Sequence, residues 1–148
     1  MAEQQVSITD LDPAQLQEVK KQLDQELDHL TTSYQQLKQA QSKFKSCVTD
    51  VNQLGPESKG KQVLVPLTSS LYVPGKLTDV ENVVVDVGTG YYVKKTKAEA
   101  VQHYDSKTTF VQGNLDTLQK TIERKQENVQ SVVQVLQMKM QQAQSAPQ

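Results

Sequence analysis

The chain has 148 residues, 36% hydrophobic and 5% aromatic, with no Trp; a thick globular core needs more apolar volume, whereas a two-helix seam buries about two or three positions in seven. Its formal net charge is −1, with both signs mixed along the chain, so no basic stripe points to nucleic acid or anionic lipid. No apolar run approaches the roughly 18–20 residues that cross a bilayer. Met1-Ala2-Glu3-Gln4-Gln5 lacks a signal peptide's basic and apolar regions, and a lone Cys47 excludes an internal disulfide framework. A soluble intracellular protein is expected.

The first element is a helix over about residues 13–54. Asp12 caps it, Pro13 fits the first helical position, and Gln15 stands where a capping-box partner belongs. Leu11 and Leu16 occupy the staple positions. A stripe then runs Leu23, Leu27, Leu30, Tyr34, Leu37, Gln41, Phe44, Val48, Val51. Its steps alternate four and three, the 3.5-residue repeat of a coiled coil. Gly55 suggests a left-handed cap, and Pro56 stops the helix. The rod is expected to be roughly 60 Å long at about 1.5 Å per residue.

The middle, about residues 62–95, reads as two β-hairpins. Gln62–Leu67 is apolar and β-branched, Thr68-Ser69-Ser70 is turn-like, and Leu71-Tyr72-Val73 is a second strand. Pro74-Gly75 signals another turn. Asn82–Val87 and Tyr91–Lys95 are strands joined by Gly88-Thr89-Gly90. Short hairpins are marginal in water, and proteins rarely leave such edges free. Several subunits are therefore expected to pool these strands in a shared sheet or barrel.

A second helix is expected over about 97–142, opened by a Thr96/Glu99 capping box. Its stripe reads Val101, Tyr104, Thr108, Val111, Leu115, Leu118, Ile122, Lys125, Val129, Val132, Leu136. Gly113 weakens the helix by about 1 kcal/mol relative to Ala, and Lys125 on the stripe can fix alignment. Residues 143–148 form a flexible tail. The fold class is mainly α with a small β region. An antiparallel two-helix coiled coil brings both chain ends together, with the hairpins at the other end.

Leu64-Val65-Pro66-Leu67-Thr68-Ser69-Ser70-Leu71-Tyr72-Val73-Pro74-Gly75-Lys76-Leu77 and Val83-Val84-Val85-Asp86-Val87-Gly88-Thr89-Gly90-Tyr91-Tyr92-Val93 resemble the two hairpins of a eukaryotic α-class prefoldin. The resemblance implies a single prefoldin-like domain over residues 1–148. It also implies a hetero-hexamer of two α-type and four β-type subunits, joined through a β-barrel platform. Such a complex is a chaperone that works without ATP or any cofactor. Its coiled-coil tips capture unfolded actin- or tubulin-like clients and pass them to the cytosolic group II chaperonin. A cytoplasmic location follows, with nuclear roles left open.

On that plan Val63, Val65, Leu67, Leu71, Val73, Val83, Val85, Val87, Tyr91 and Val93 carry assembly. The client-binding tip comprises Val6, Ile8, Leu11, Leu16 and Val19 opposite Val133, Val135, Met138 and Met140. The last four lie off the stripe, so a partner helix does not account for them.

No catalytic arrangement emerges, and no enzyme activity is expected. Gly88-Thr89-Gly90 lacks the ending of a phosphate loop and precedes a strand. His29 and His103 fall on different helices without ligand clusters. Cys47 flanks the stripe, and Asp86 reads as a strand or turn contact. Lys59, Lys61, Lys94 and Lys95 are solvated charges or a chaperonin-docking patch. A scaffold or tether that binds folded partners is the competing function; it would ignore denatured protein.

Overall fold

A computed structural model of the chain describes residues 7–145. Two helices, α1 (Pro13–Gln53) and α2 (Lys97–Gln144), flank four strands: β1 (Gln62–Pro66), β2 (Tyr72–Lys76), β3 (Asn82–Gly88) and β4 (Tyr91–Thr96). Two compact units result: Met1–Lys38 with Gly113–Gln148, and Gln39–Gln112. The flexible tail expected from 143 onward begins as helix through Gln144; residues 146–148 lie outside the described residues.

In the unit that holds both chain ends, α1 starts at half of a capping box. The Asp12 N–H donates to Gln15 Oε1 (3.1 Å), and the Asp12 carbonyl accepts the first helical bond from Leu16 N (2.9 Å). Leu16, Leu115 and Val132 are buried here. The stripe residues Leu23, Leu27, Leu30, Tyr34, Leu37, Leu118, Ile122, Val129 and Leu136 are all half-buried. Lys125, a cation on an apolar stripe, meets Glu26 of α1 at 2.5 Å. The Lys139 ammonium donates to the Leu11 carbonyl.

Gly113 lies in α2, and a Cβ there would meet nothing within 4 Å. Gly113→Ala is therefore expected to stabilise the chain by about 0.5–1 kcal/mol, because Ala restricts the unfolded chain and fits the helix. Urea unfolding of the variant checks this; a loss of stability would contradict an unstrained helical site.

In the unit that holds the strands, Gln41 is buried on the stripe and donates through Nε2 to Gln112 Oε1 (2.6 Å). Phe44 and Tyr104 rings pack 6.2 Å apart. α2 opens on a complete capping box: Thr96 N donates to Glu99 Oε2 (3.0 Å) and Glu99 N to Thr96 Oγ1 (3.3 Å). Lys97 Nζ donates to the Leu54 carbonyl. It thereby satisfies an acceptor that the end of α1 leaves without a helical donor. Gly55 is not the left-handed cap that its position suggested. Its φ is −109° and ψ 173°, because a residue before proline is pushed to extended backbone. The left-handed glycine is Gly60, at φ 82°, where the chain turns into β1 and the Gly60 N–H donates to the Leu77 carbonyl (2.6 Å).

The strands form two separate antiparallel pairs, β1–β2 and β3–β4. The first runs from Gln62↔Lys76 to Pro66↔Tyr72. Its loop closes through Leu67 N to Leu71 O (2.9 Å) and Leu71 N to Thr68 Oγ1 (3.1 Å). Pro74 and Gly75, expected in a turn, lie within β2. Proline is tolerated there because β2 is an edge strand. The second pair runs from Asn82↔Thr96 to Gly88↔Tyr91, with a register shift between Asp86 and Gly88. Gly90, at φ 79°, makes its turn. Val85 packs with Val51 and Ala100, flanked by Val83, Val101 and Tyr104.

Candidate functional site

Two surfaces carry the residues singled out from the sequence. The first is the pair of hairpins. Alternation puts successive side chains on opposite faces, and here both faces are apolar. The inner face of the second hairpin packs on the helices through Val83 and Val85. Its outer face is bare: Val84 is 69% exposed, and Tyr92, on the same face by register, is exposed with it; Tyr91, near the turn, is exposed on the opposite face. The first hairpin is exposed on both sides, through Leu64 (68%) and Tyr72 on one and Val65 and Val73 on the other. Leu67 and Leu71 in its loop are exposed too.

Of the residues expected to carry assembly, Val65, Leu67, Leu71, Val73, Val87, Tyr91 and Val93 are exposed, and Val63 and Val83 are half-buried. Val85 is corrected: at 1% exposure it belongs to the chain's own core. Leu64, Tyr72, Val84 and Tyr92 were missed. They stand on the alternate face, and the uninterrupted apolar run in each strand was the available sign of two apolar faces.

The segment between the hairpins is held by Asp79. Its Oδ1 accepts from the N–H groups of Glu81 (3.0 Å) and Asn82 (3.1 Å), and its Oδ2 from Asn82 Nδ2 (3.0 Å). These bonds, the Asn82 side chain's first, hold its carboxyl below the usual carboxylate range. Asp86 Oδ1 accepts from Gly88 N (3.1 Å) within the second turn, a turn role. Tyr104 is raised above an ordinary tyrosine, by burial first and then by Cys47 beside it. Lys59, Lys61 and Lys94 are exposed and Lys95 half-buried; Lys94 Nζ lies 3.8 Å from Asp79 Oδ2.

The second surface lies where the start of α1 meets the last turns of α2, tied by the Lys139–Leu11 bond. Met138 (57% exposed), Met140 and Ile8 are exposed, while Leu11, Val19, Val133 and Val135 are half-buried. Leu16 is corrected: it is fully buried, as a staple residue closing the start of α1 should be. Val6 lies outside the described residues. Among the described residues no group of three or more His, Cys, Asp or Glu can hold a metal ion. No described helix is long and apolar enough to cross a membrane.

Comparison with known proteins agrees with this architecture. The prefoldin subunit family model matches residues 23–142. "Prefoldin subunit 5" of Homo sapiens is 44% identical over 139 residues, covering 94% of this chain and 90% of that protein. "Probable prefoldin subunit 5" of Schizosaccharomyces pombe is 46% identical over 136 residues, covering 90% and 88%. "Prefoldin subunit 5" of Arabidopsis thaliana is 34% identical over 132 residues, covering 89% and 87%. A chain in the structure of filamentous PFD from Methanocaldococcus jannaschii aligns at 23% identity and a TM-score of 0.46, covering 81% of this chain and 93% of that one. With the family model matched across both helices and all four strands, the chain belongs to the prefoldin subunit family.

Proposed function

We propose that this chain is one α-type subunit of a hetero-hexameric, ATP-independent chaperone of two α-type and four β-type subunits. Family membership supports the chaperone co-factor role. The observation that carries assembly is the bare hairpin surface: exposed apolar side chains on both faces of the first strand pair and on the outer face of the second, with no other strand among the described residues paired to either. Large exposed apolar patches mark binding surfaces, and open strand edges need strands to complete them. A closed barrel shared among subunits meets both needs.

Client capture belongs to the other surface. Ile8, Met138 and Met140 are exposed beside the start of α1 and the last turns of α2, and methionine adapts to varied apolar partners. Fully burying one such side chain contributes roughly 1.5–3 kcal/mol, and a partly covered one less. One tip therefore binds weakly, and several around one chain raise the effective concentration of the rest. Fast exchange at each contact permits release without nucleotide. Unfolded actin- or tubulin-like chains are the clients, and the cytosolic group II chaperonin the recipient. The site of action is the cytoplasm, with the nucleus a further compartment.

The test replaces Val133, Val135, Met138 and Met140 by Ser in the assembled complex. Suppression of the aggregation of a denatured actin-like client should fall at least tenfold while the mass of the complex stays the same. Unchanged suppression would remove the tip assignment.

A further inference from the structure

The first hairpin has two outer edges, and they are not equivalent. In an antiparallel pair, residues alternate between those that bond across the pair and those whose N–H and C=O point outward. Leu67 N donates to Leu71 O, and Leu77 N to Lys61 O (3.0 Å). With the register Val65↔Val73 between them, the bonded pairs are 61/77, 63/75, 65/73 and 67/71. Gln62, Leu64 and Pro66 on β1, and Tyr72, Pro74 and Lys76 on β2, therefore turn their backbone outward. No other strand among the described residues pairs with either edge.

Both edges carry a proline, but at different places. On β1 it is Pro66, the last residue of the strand, so the donors of Gln62 and Leu64 form an unbroken row. On β2 it is Pro74, the middle one of the three outward residues. Proline has no N–H. A strand laid along β2 would keep a carbonyl opposite Pro74 without a donor. A buried acceptor left without a donor loses its hydration with nothing in return, which weakens the joint. The β1 edge leaves such a gap only at its end, where water reaches.

We infer that hairpin 1 holds its neighbours unequally: the outer edge of β1 makes the tight joint, with a proline-free strand of another subunit, and the outer edge of β2 makes the weak one. The inference rests on the assembly proposed above. A second copy of β1 is a poorer occupant, because in the symmetric register Pro66 of each copy falls opposite Gln62 of the other and a bond is lost at both ends. The tight joint thus favours a different polypeptide.

Residue-resolved amide exchange tests this on the full chain, alone and in the purified complex with β-type prefoldin subunits. The Gln62 and Leu64 amides should slow on assembly at least tenfold more than those of Tyr72 and Lys76. Equal protection of both edges, or greater protection of Tyr72 and Lys76, overturns the inference and leaves the assembly itself standing. Failure of the wild-type chain to form the complex overturns both. Leu64→Pro removes the outward donor and Leu64→Ala only the side chain. The former should assemble at least tenfold more weakly than the latter, whereas Tyr72→Pro and Tyr72→Ala should differ by less than about twofold. Protected Val65 and Val73 amides, which bond within the hairpin, confirm that each proline variant keeps its fold. Should a proline variant lose that protection, the wild-type exchange pattern decides.

Discussion

Replacing Leu115 by Ala is expected to lower the unfolding free energy by about 2–5 kcal/mol, the range for a Leu truncated in a packed interior. Leu115 is 1% exposed, in the unit where Leu16 and Val132 are also buried. A two-helix seam has little else to close over the void, so the loss should fall in the upper half of that range. Small domains hold only about 5–15 kcal/mol in total, so the variant should be partly unfolded near body temperature. Thermal and urea unfolding followed by helical circular dichroism read the effect directly. A change below about 1 kcal/mol would mean that the stripe is not packed as described. The exposed Phe110 is the control on the same helix: Phe110→Ala should leave the stability of the isolated chain within about 0.5 kcal/mol.

The second large effect separates folding from assembly. Val84 and Tyr92 are exposed on the outer face of the second hairpin, while Val83 and Val85 hold its inner face. Val84→Lys with Tyr92→Lys should leave the isolated chain's stability nearly unchanged, since neither side chain is buried within it. In the proposed complex both would be covered. Removing two apolar side chains and introducing two ammonium groups should then cost about 3 kcal/mol or more, beyond a hundredfold in dissociation constant. Sedimentation of the variant mixed with β-type subunits measures it. Assembly at wild-type strength would show that this face stays in water.

Much of the fold was legible because its signals are local. The alternation of threes and fours needs no knowledge of the partner helix, and every stripe residue from Leu23 to Val51 and from Val101 to Leu136 is half-buried or buried. Thr96 and Glu99 form their capping box from adjacent residues alone. The failures arose where a neighbour decides. Gly55 looked like a left-handed cap, yet Pro56 forces it to extend. Pro74-Gly75 looked like a turn, yet an open edge makes no demand on the missing donor. At the candidate site, period-two alternation separates the faces of a strand but not which face meets the helices. Val85 was thus placed outward and Val84 overlooked. Leu16 was assigned to the tip although its staple position already explained its burial.

The bond from buried Gln41 to Gln112 and the Lys125–Glu26 pair together guard against sliding. Shift α2 by seven residues and Gln119 could replace Gln112 opposite Gln41, so an amide alone would tolerate the error. The same shift would bring Val132 toward Glu26 and carry Lys125 away from it. A chain zipped up one heptad out of step is thus penalised at one polar pair even where it is forgiven at the other. Newly made chains should therefore reach a single alignment without help from the subunits they later join.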